Sequence, residues 1–311
     1  MEPITSTATL TPTTQRQGVK VQTRPFKITD IPDAMDKMNW PVAAALMRHW
    51  FNGKPWPDTV DGGMSAEVKQ HKTWPPNAYI EESIVKMDWL LRFEIVRKAM
   101  RELRSRWRSD KALAFVAENL RKNFSGVPVG EHSVGFEGKA SAAERFGRFN
   151  TKEVVFSTFD TGSLDDLRAA LANFNLRVAA EGNISIRPQG FLFRVERLVF
   201  YAEDSYDFRD PCMWYTQPLG FWNSNGMAKS LYEATLVNIG VAGTLQSNAG
   251  IFNVLHDSQE YADILSQRFF LVTNSMFSSY RKAYGKGGDF RVFSDVHYES
   301  LPRPEIIEFS R

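Results

Sequence analysis

The stretch LRVAAEGNISIRPQGFLFRVERLVFYAEDSYD, residues 176–207, decides how this chain is read. Two runs of strand-forming residues, 176–187 and 191–202, flank Pro188-Gln189-Gly190. Pro and Gly suit a tight turn, and the flanking runs are rich in β-branched and aromatic residues, so the pattern predicts a long hairpin. Strand alternation sets Phe191, Phe193 and Val195 on one face and Leu192, Arg194 and Glu196 on the other. The second run then stops at Asp204, Ser205, Tyr206 and Asp207, and gives way to a stretch rich in aromatic, Gly, Asn and Pro residues.

N-terminal to the hairpin the periodicity is helical. Residues 30–51, DIPDAMDKMNWPVAAALMRHWF, read as two short helices meeting at Pro41, the first capped by Asp30 with Pro32 in its opening turn. Residues 52–77, punctuated by Pro and Gly, read as loop. Ile80, Ile84, Met87, Leu91, Ile95 and Leu103 recur at helical spacing and predict one long helix over 79–107. A further helix is expected over about 110–123. Residues 125–150, Gly-rich and mixed in charge, read as a linker. Next come a strand at 153–159 and a short helix capped by Ser163, with Asp165 and Asp166 in its first turn, where the helix dipole favours them. Beyond the hairpin, 268–273 reads as a strand, 275–284 as a helix and 288–297 as the closing strand. Residues 1–25, rich in Thr and Pro, read as a flexible tail. The expected fold is α+β: an α-helical N-terminal part, 26–124, packed on a C-terminal antiparallel β-sheet or half-barrel within 151–311.

The 311 residues are 43% hydrophobic and 24% charged, which marks a globular chain rather than a disordered one. A net charge of +2 points to no particular partner. No apolar run reaches the roughly 20 residues of a membrane-spanning helix. The N-terminus has neither a basic start nor an apolar core, so no Sec-type signal peptide is expected. That predicts a chain made in the cytoplasm and exported, if at all, by another route. The single cysteine, Cys212, rules out an internal disulfide and a cysteine-built metal site.

The Asp-Ser-Tyr-Asp cluster has two readings. Asp204 and Asp207 can bind a divalent cation, or one of them can act as a general base with the Tyr206 phenol as donor. Equally, Asp favours turn starts, and the four residues can simply cap the segment after them.

The pattern Asp-x-Tyr-Asp, after a long hairpin and before an aromatic-rich loop, resembles the active-site motif of colicin M-type bacteriocins. The resemblance implies metal-dependent cleavage of the pyrophosphate link in a lipid-linked peptidoglycan precursor, with a divalent cation (Mg²⁺ or Ca²⁺). Asp204 would be the catalytic or metal-binding acid, with Tyr206 and Asp207 shaping the site. That family continues into His-Arg, whereas this chain reads Cys212-Met213-Trp214 there, so His297 or His256 would have to supply the imidazole. A second resemblance rests on three blocks: FKITDIPDAMDKMNWPVAAALMRHWF, DSYDF with LGFWN, and YGKGGDFRVFSDV, together spanning 26–296. They are similar to an uncharacterised bacterial family whose genes often lie near type VI secretion clusters. The implied partners are a type VI secretion component, a cognate immunity protein and a lipid-linked substrate at a membrane surface.

In YGKGGDFRVFSDV, residues 284–296, the glycines suit a tight turn before a strand, since the P-loop spacing is absent. Asp289, Asp295 and His297 would share one face of that strand and could join Asp204. Trp214, Tyr215, Phe221 and Trp222 could stack on a sugar or a lipid, or plug the end of a small barrel. Arg209, Trp214, Trp222, Asp289 and Asp295 are the substrate-binding candidates. Arg97, Arg101, Arg104 and Arg108 form one basic stripe, read either as a phosphate-binding face or as a solvated one with Glu94 and Glu102 nearby. No nucleic-acid motif accompanies it. The leading expectation is an antibacterial type VI effector acting hydrolytically. A non-enzymatic secretion adaptor and a membrane-active toxin are the alternatives, the frequent charges of 79–107 arguing against the last.

Overall fold

The computed structural model describes residues 26–156, 164–210, 216–247 and 267–310. In chain order these form α1 (Ile31–Lys37), α2 (Pro41–Asn52), α3 (Ala66–Lys69), β1 (Ile80–Glu81), α4 (Met87–Leu90), α5 (Glu94–Ser105) and α6 (Asp110–Asn123). Then come β2 (Gly130–Val134), α7 (Ala140–Phe146), β3 (Arg148–Val154), α8 (Asp166–Leu171), β4 (Phe174–Arg187) and β5 (Gly190–Tyr206). The chain continues through β6 (Pro218–Asn223), β7 (Gly226–Met227), α9 (Leu231–Ser247), β8 (Phe270–Thr273), α10 (Asn274–Tyr284), β9 (Phe290–Phe293) and β10 (His297–Ser310). The fold is α+β, as expected.

The hairpin β4–β5 is the spine of a seven-stranded sheet. Its strands are 14 and 17 residues long, and each changes partner midway. β4 pairs with β3 through Phe174–Ala179 and with β2 through Gly182–Ile186. β5 pairs with β10 through Gly190–Phe200 and with β9 through Glu203–Tyr206. At that second exchange the Ser294 hydroxyl accepts from Ala202 N–H at 2.8 Å, and Ser294 N–H donates back to Ala202 O at 3.1 Å. The first exchange needs Gly182, where any Cβ would lie 2.0 Å from the Arg194 carbonyl oxygen. Every pairing is antiparallel except β1 with β9, so the sheet is mixed.

The expected closing strand is two strands. β9 ends at Phe293, and β10 comes after it as a 14-residue edge strand. Pro302 and Pro304 hid it in the sequence, because proline cannot donate to a ladder. They lie where the register with β5 shifts, between Ser300 and Glu305.

The helix expected over 79–107 is broken into β1, α4 and α5. Tertiary partners make the breaks. The Glu81 carboxylate accepts from Ser83 N at 2.5 Å and Ile84 N at 2.9 Å, forcing a turn. Asp295 accepts from Met87 N at 2.6 Å, capping α4 from across the fold. Arg97 then donates to the carbonyls of Leu91 and Arg92, both at 2.8 Å, which the break has freed. The basic stripe is fully paired: Arg97 and Arg101 with Glu94, Arg104 with Glu299, Arg108 with Glu305. The last two pairs tie α5 and its exit to β10.

The two helices expected in 30–51 are α1 and α2, with their caps rearranged. Asp30 does not cap α1 by its side chain; it accepts from Lys27 N at 2.9 Å, one turn earlier. At α2 the flanking Trp40 offers no cap, and the Asp166 carboxylate supplies one, accepting from Val42 N (3.2 Å) and Ala43 N (2.9 Å). Asp165, not Ser163, caps α8, accepting from Arg168 N at 2.9 Å; Ser163 and residues 157–159 of the expected strand lie outside the described residues. The expected linker 125–150 holds β2, α7 and the start of β3. One buried apolar cluster runs from Ile31 to Phe309 and draws on both halves of the chain.

Candidate functional site

Alternation along β5 sorts its residues between two cores. Leu198, Phe200, Ala202 and Tyr206 enter the main core, while Val199 and Tyr201 enter a smaller one with Phe136, Ala140 and Ala143 of the α7 region. Asp204 and Glu203 therefore leave the strand on opposite faces.

On the Asp204 face lies a cavity of ≈ 440 Å³. Apolar side chains dominate its wall, among them Met35, Trp40, Met47, Leu219, Trp222 and Phe277. Asp204, Tyr206, Asp207, Arg209, Lys69, Arg168 and Asn274 also line it. Burial pushes the Asp204 carboxyl well above the usual carboxylate range, and the neighbouring Glu203 and Asp207 carboxylates push it further. The Ser205 N–H and Arg291 act against that and lose. Burial and then Asp204 raise the Tyr206 phenol, whose hydroxyl donates to the Met47 sulfur at 3.8 Å. Asp207 is held by the Lys69 ammonium at 2.7 Å. Lys69 is delivered by α3, whose N-terminus Ser65 caps by accepting from Val68 N.

The structure thus gathers five of the sequence candidates, Asp204, Tyr206, Asp207, Arg209 and Trp222, around one cavity. Arg209 reaches Met64 O at 2.6 Å and Asp61 at 2.8 Å. Trp222 forms part of the wall, edge-on to Trp40. Three candidates are elsewhere. Asp289 is fully buried and saturated, accepting from Trp50 Nε1 (2.8 Å), Met64 N (2.9 Å) and Arg281. Asp295 is committed to capping α4. His297 pairs with Phe200 on β10, four residues along β5 from Asp204, about 13 Å at strand rise. The strand expected to unite these three stops before Asp295, so they share no face. Trp214 and His256 lie outside the described residues. The YGKGGDF block is a packing motif: Gly285 ends α10 with φ +60°, and a Cβ at Gly287 would lie 2.5 Å from the Trp50 ring.

A divalent cation is held by several converging oxygen or nitrogen ligands. Among the described residues no three His, Cys, Asp or Glu side chains converge as a metal site. Asp207 already has a cationic partner in Lys69. Among the described residues, Asp204 and Asp207 therefore lack the further ligands that a divalent cation would need.

On the Glu203 face lies an ionic cluster that sequence reasoning missed. Glu203 receives Arg177 Nη2 at 2.7 Å and Arg291 Nη1. Glu144 receives the Tyr201 hydroxyl at 2.9 Å and Arg148 at 3.0 Å. Burial works to raise Glu203, but Arg291 and Arg177 outweigh it and hold the carboxylate below its usual range. Burial dominates at Glu144 and raises it. His71, in left-handed backbone with φ +59°, closes the cluster. Its Nε2 faces Arg291 at 3.1 Å and Arg177 at 3.4 Å. Guanidinium groups only donate, so Nε2 accepts and Nδ1, 3.4 Å from Glu144, carries the proton. Burial and the three arginines hold His71 neutral, lowering it to about 4. The available signal was a lone charge inside each of two apolar strands, Arg177 in NLRVAA and Arg291 in FRVF.

Fold and site together describe an α+β protein with a half-buried acid on the lining of a mostly apolar-walled cavity. Residues 26–309 match the family described as "Family of unknown function (DUF6402)", and the chain belongs to it. No curated protein and no solved structure matches the chain. Among the described residues no helix is long and apolar enough to cross a membrane.

Proposed function

We propose that the protein is an acid-assisted hydrolase of an amphiphilic, phosphate-linked substrate, with the cavity over Asp204 as its active site. One observation carries this reading: a carboxyl pushed toward its neutral form faces a cavity that also holds a second carboxylate. Such a pair divides acid and base roles. Asp204 donates its proton to the leaving oxygen, while Asp207 takes one from the attacking water. Lys69, Arg168 and Arg209 give the lining three cationic side chains suited to a phosphate, and the wall of Trp40, Trp222, Met35 and Leu219 suits an apolar tail. The resemblance to the colicin M-type motif supplies the substrate, a lipid-linked peptidoglycan precursor. The gene-neighbourhood resemblance supplies the role, a type VI effector with a cognate immunity protein.

The mostly apolar wall also favours one second reading, a non-enzymatic protein that binds an amphiphile as part of a secretion complex. The two separate on expression in a susceptible bacterium, with and without an added periplasmic signal, beside Asp204→Asn. Lysis only with the signal, and only from the unaltered chain, is the expected result. Absence of toxicity from a folded protein in both compartments overturns the effector reading and leaves the binding one.

A further inference from the structure

The segment 64–71 supplies Lys69 to the cavity, yet it is anchored outside the main core: Met64 and Val68 pack in a small separate cluster with Trp56. Polar contacts tie it to the rest of the fold. Met64 N–H donates to Asp289 at 2.9 Å, and Met64 O accepts from Arg209. At the other end α3 closes in a Schellman motif, in which His71 N–H donates to Val68 O at 3.0 Å and Lys72 N–H to Glu67 O at 2.8 Å. Glycine is the usual residue at the left-handed position of that motif, and here His71 occupies it with φ +59°. Its imidazole has a use there, since Nε2 faces Arg291 at 3.1 Å. Arg291, 3% exposed, gives Nη1 to Glu203 and Nη2 to Val68 O. One guanidinium thus bridges the Glu203 cluster to the backbone one residue before Lys69, whose ammonium meets Asp207 at 2.7 Å. α3 has only four residues, too few to hold their own geometry.

We infer that Arg291 and His71 are positioning residues for the cavity: they latch the segment 68–71 to the Glu203 cluster and so hold Lys69 against Asp207. Its bearing on catalysis rests on the proposed active site, where Lys69 orients the carboxylate that takes a proton from water. Neither Arg291 nor His71 lines the cavity, so each acts through the backbone that carries Lys69. The ionic cluster on one face of β5 thereby sets the geometry of a charged pair on the other.

The test reads Lys69 directly. The full chain is treated with an amine-acetylating reagent at neutral pH, and mass spectrometry gives the rate at Lys69 relative to Lys122, an exposed residue of α6. Asp207→Asn, which frees the ammonium, is expected to raise that ratio about threefold. Arg291→Lys keeps a cation for Glu203 but loses the second arm at Val68 O, and should raise the ratio equally. His71→Gly, which suits the left-handed backbone, should raise it by a smaller factor. Phe309→Ala, a destabilising change in the main core, should leave it unmoved. An unchanged ratio in Arg291→Lys, or an equal rise in Phe309→Ala, overturns the inference. Should Arg291→Lys fail to fold, His71→Gly and the imidazole nitrogen NMR spectrum of the unaltered chain decide. A bare Nε2 is expected, and a proton on Nε2, which could not then accept from Arg291, overturns the latch. A Lys69 response without lysis supports the latch and counts against the hydrolase, whereas lysis without a Lys69 response overturns the latch alone.

Discussion

Glu203 and Asp204 are adjacent carboxyls at the end of one strand, yet their surroundings are opposite. Glu203 is enclosed by Arg177 and Arg291, with every oxygen engaged. Asp204 has no cationic partner among the described residues and faces a cavity whose wall is mostly apolar. Burial pushes both carboxyls the same way, and chiefly Arg291 and Arg177 reverse the outcome at Glu203. The lesson is that burial alone does not mark a site. A compensated carboxylate stays charged and holds structure, and an uncompensated one is driven toward its neutral form. The segment 69–71 touches both faces, giving Lys69 to Asp207 and His71 to the Glu203 cluster.

The contrast is open to direct attack. Glu203→Ala strands two buried guanidinium groups, and its expected cost is about 3–5 kcal/mol, read as a lower urea midpoint. A loss below about 1 kcal/mol would show that the cluster is not compensated as described.

Acidification should weaken the Glu203 face before the other. His71 titrates at about 4 when folded and near 6.5 when unfolded, so the unfolded chain takes up the proton first. Its contribution is complete above about pH 6.5 and is lost as pH falls toward 4. Glu203, held below its usual range, adds a loss at lower pH still. His71→Asn, a residue that tolerates left-handed backbone, should flatten the stability curve between pH 6.5 and 4. An unchanged slope in urea titrations across that window counts against the burial of a neutral imidazole.

Lys69→Met removes the cation beside Asp207. Because the Lys69 side chain is 37% exposed, the expected loss is only about 0.5–1 kcal/mol. The smallest effect on stability belongs to Asp204→Asn. Its folded carboxyl is raised, so ionisation at pH 7 opposes folding, and the neutral amide should leave the midpoint equal or higher. Lytic activity should vanish in the same variant. A clear fall in stability would mean that Asp204 is a structural group after all.

Much of the site was legible because strand alternation and the Asp-Ser-Tyr-Asp cluster are local features. Asp204, Tyr206 and Asp207 needed only the hairpin to be located, and Arg209 and Trp222 lie within reach of its end. Lys69 and Asn274 were not legible, since they reach the cavity from chain positions 135 residues before and 70 residues after Asp204. Asp289 and Asp295 misled for the same reason in reverse. Their spacing suits one strand face, but their partners, Arg281 and the α4 N-terminus, are set by folding.

The sequence by itself determined the β4–β5 hairpin, α1, α2, α6, α10 and the α+β class, because turn chemistry and periodicity act over a few residues. Only the tertiary structure decided where the 79–107 segment breaks, which carboxylate caps α2, and which of two neighbouring acids is compensated. Those outcomes depend on groups far apart in the chain that meet where water is excluded. There, an available hydrogen-bond or charge partner outweighs the fractions of a kcal/mol that local propensity supplies.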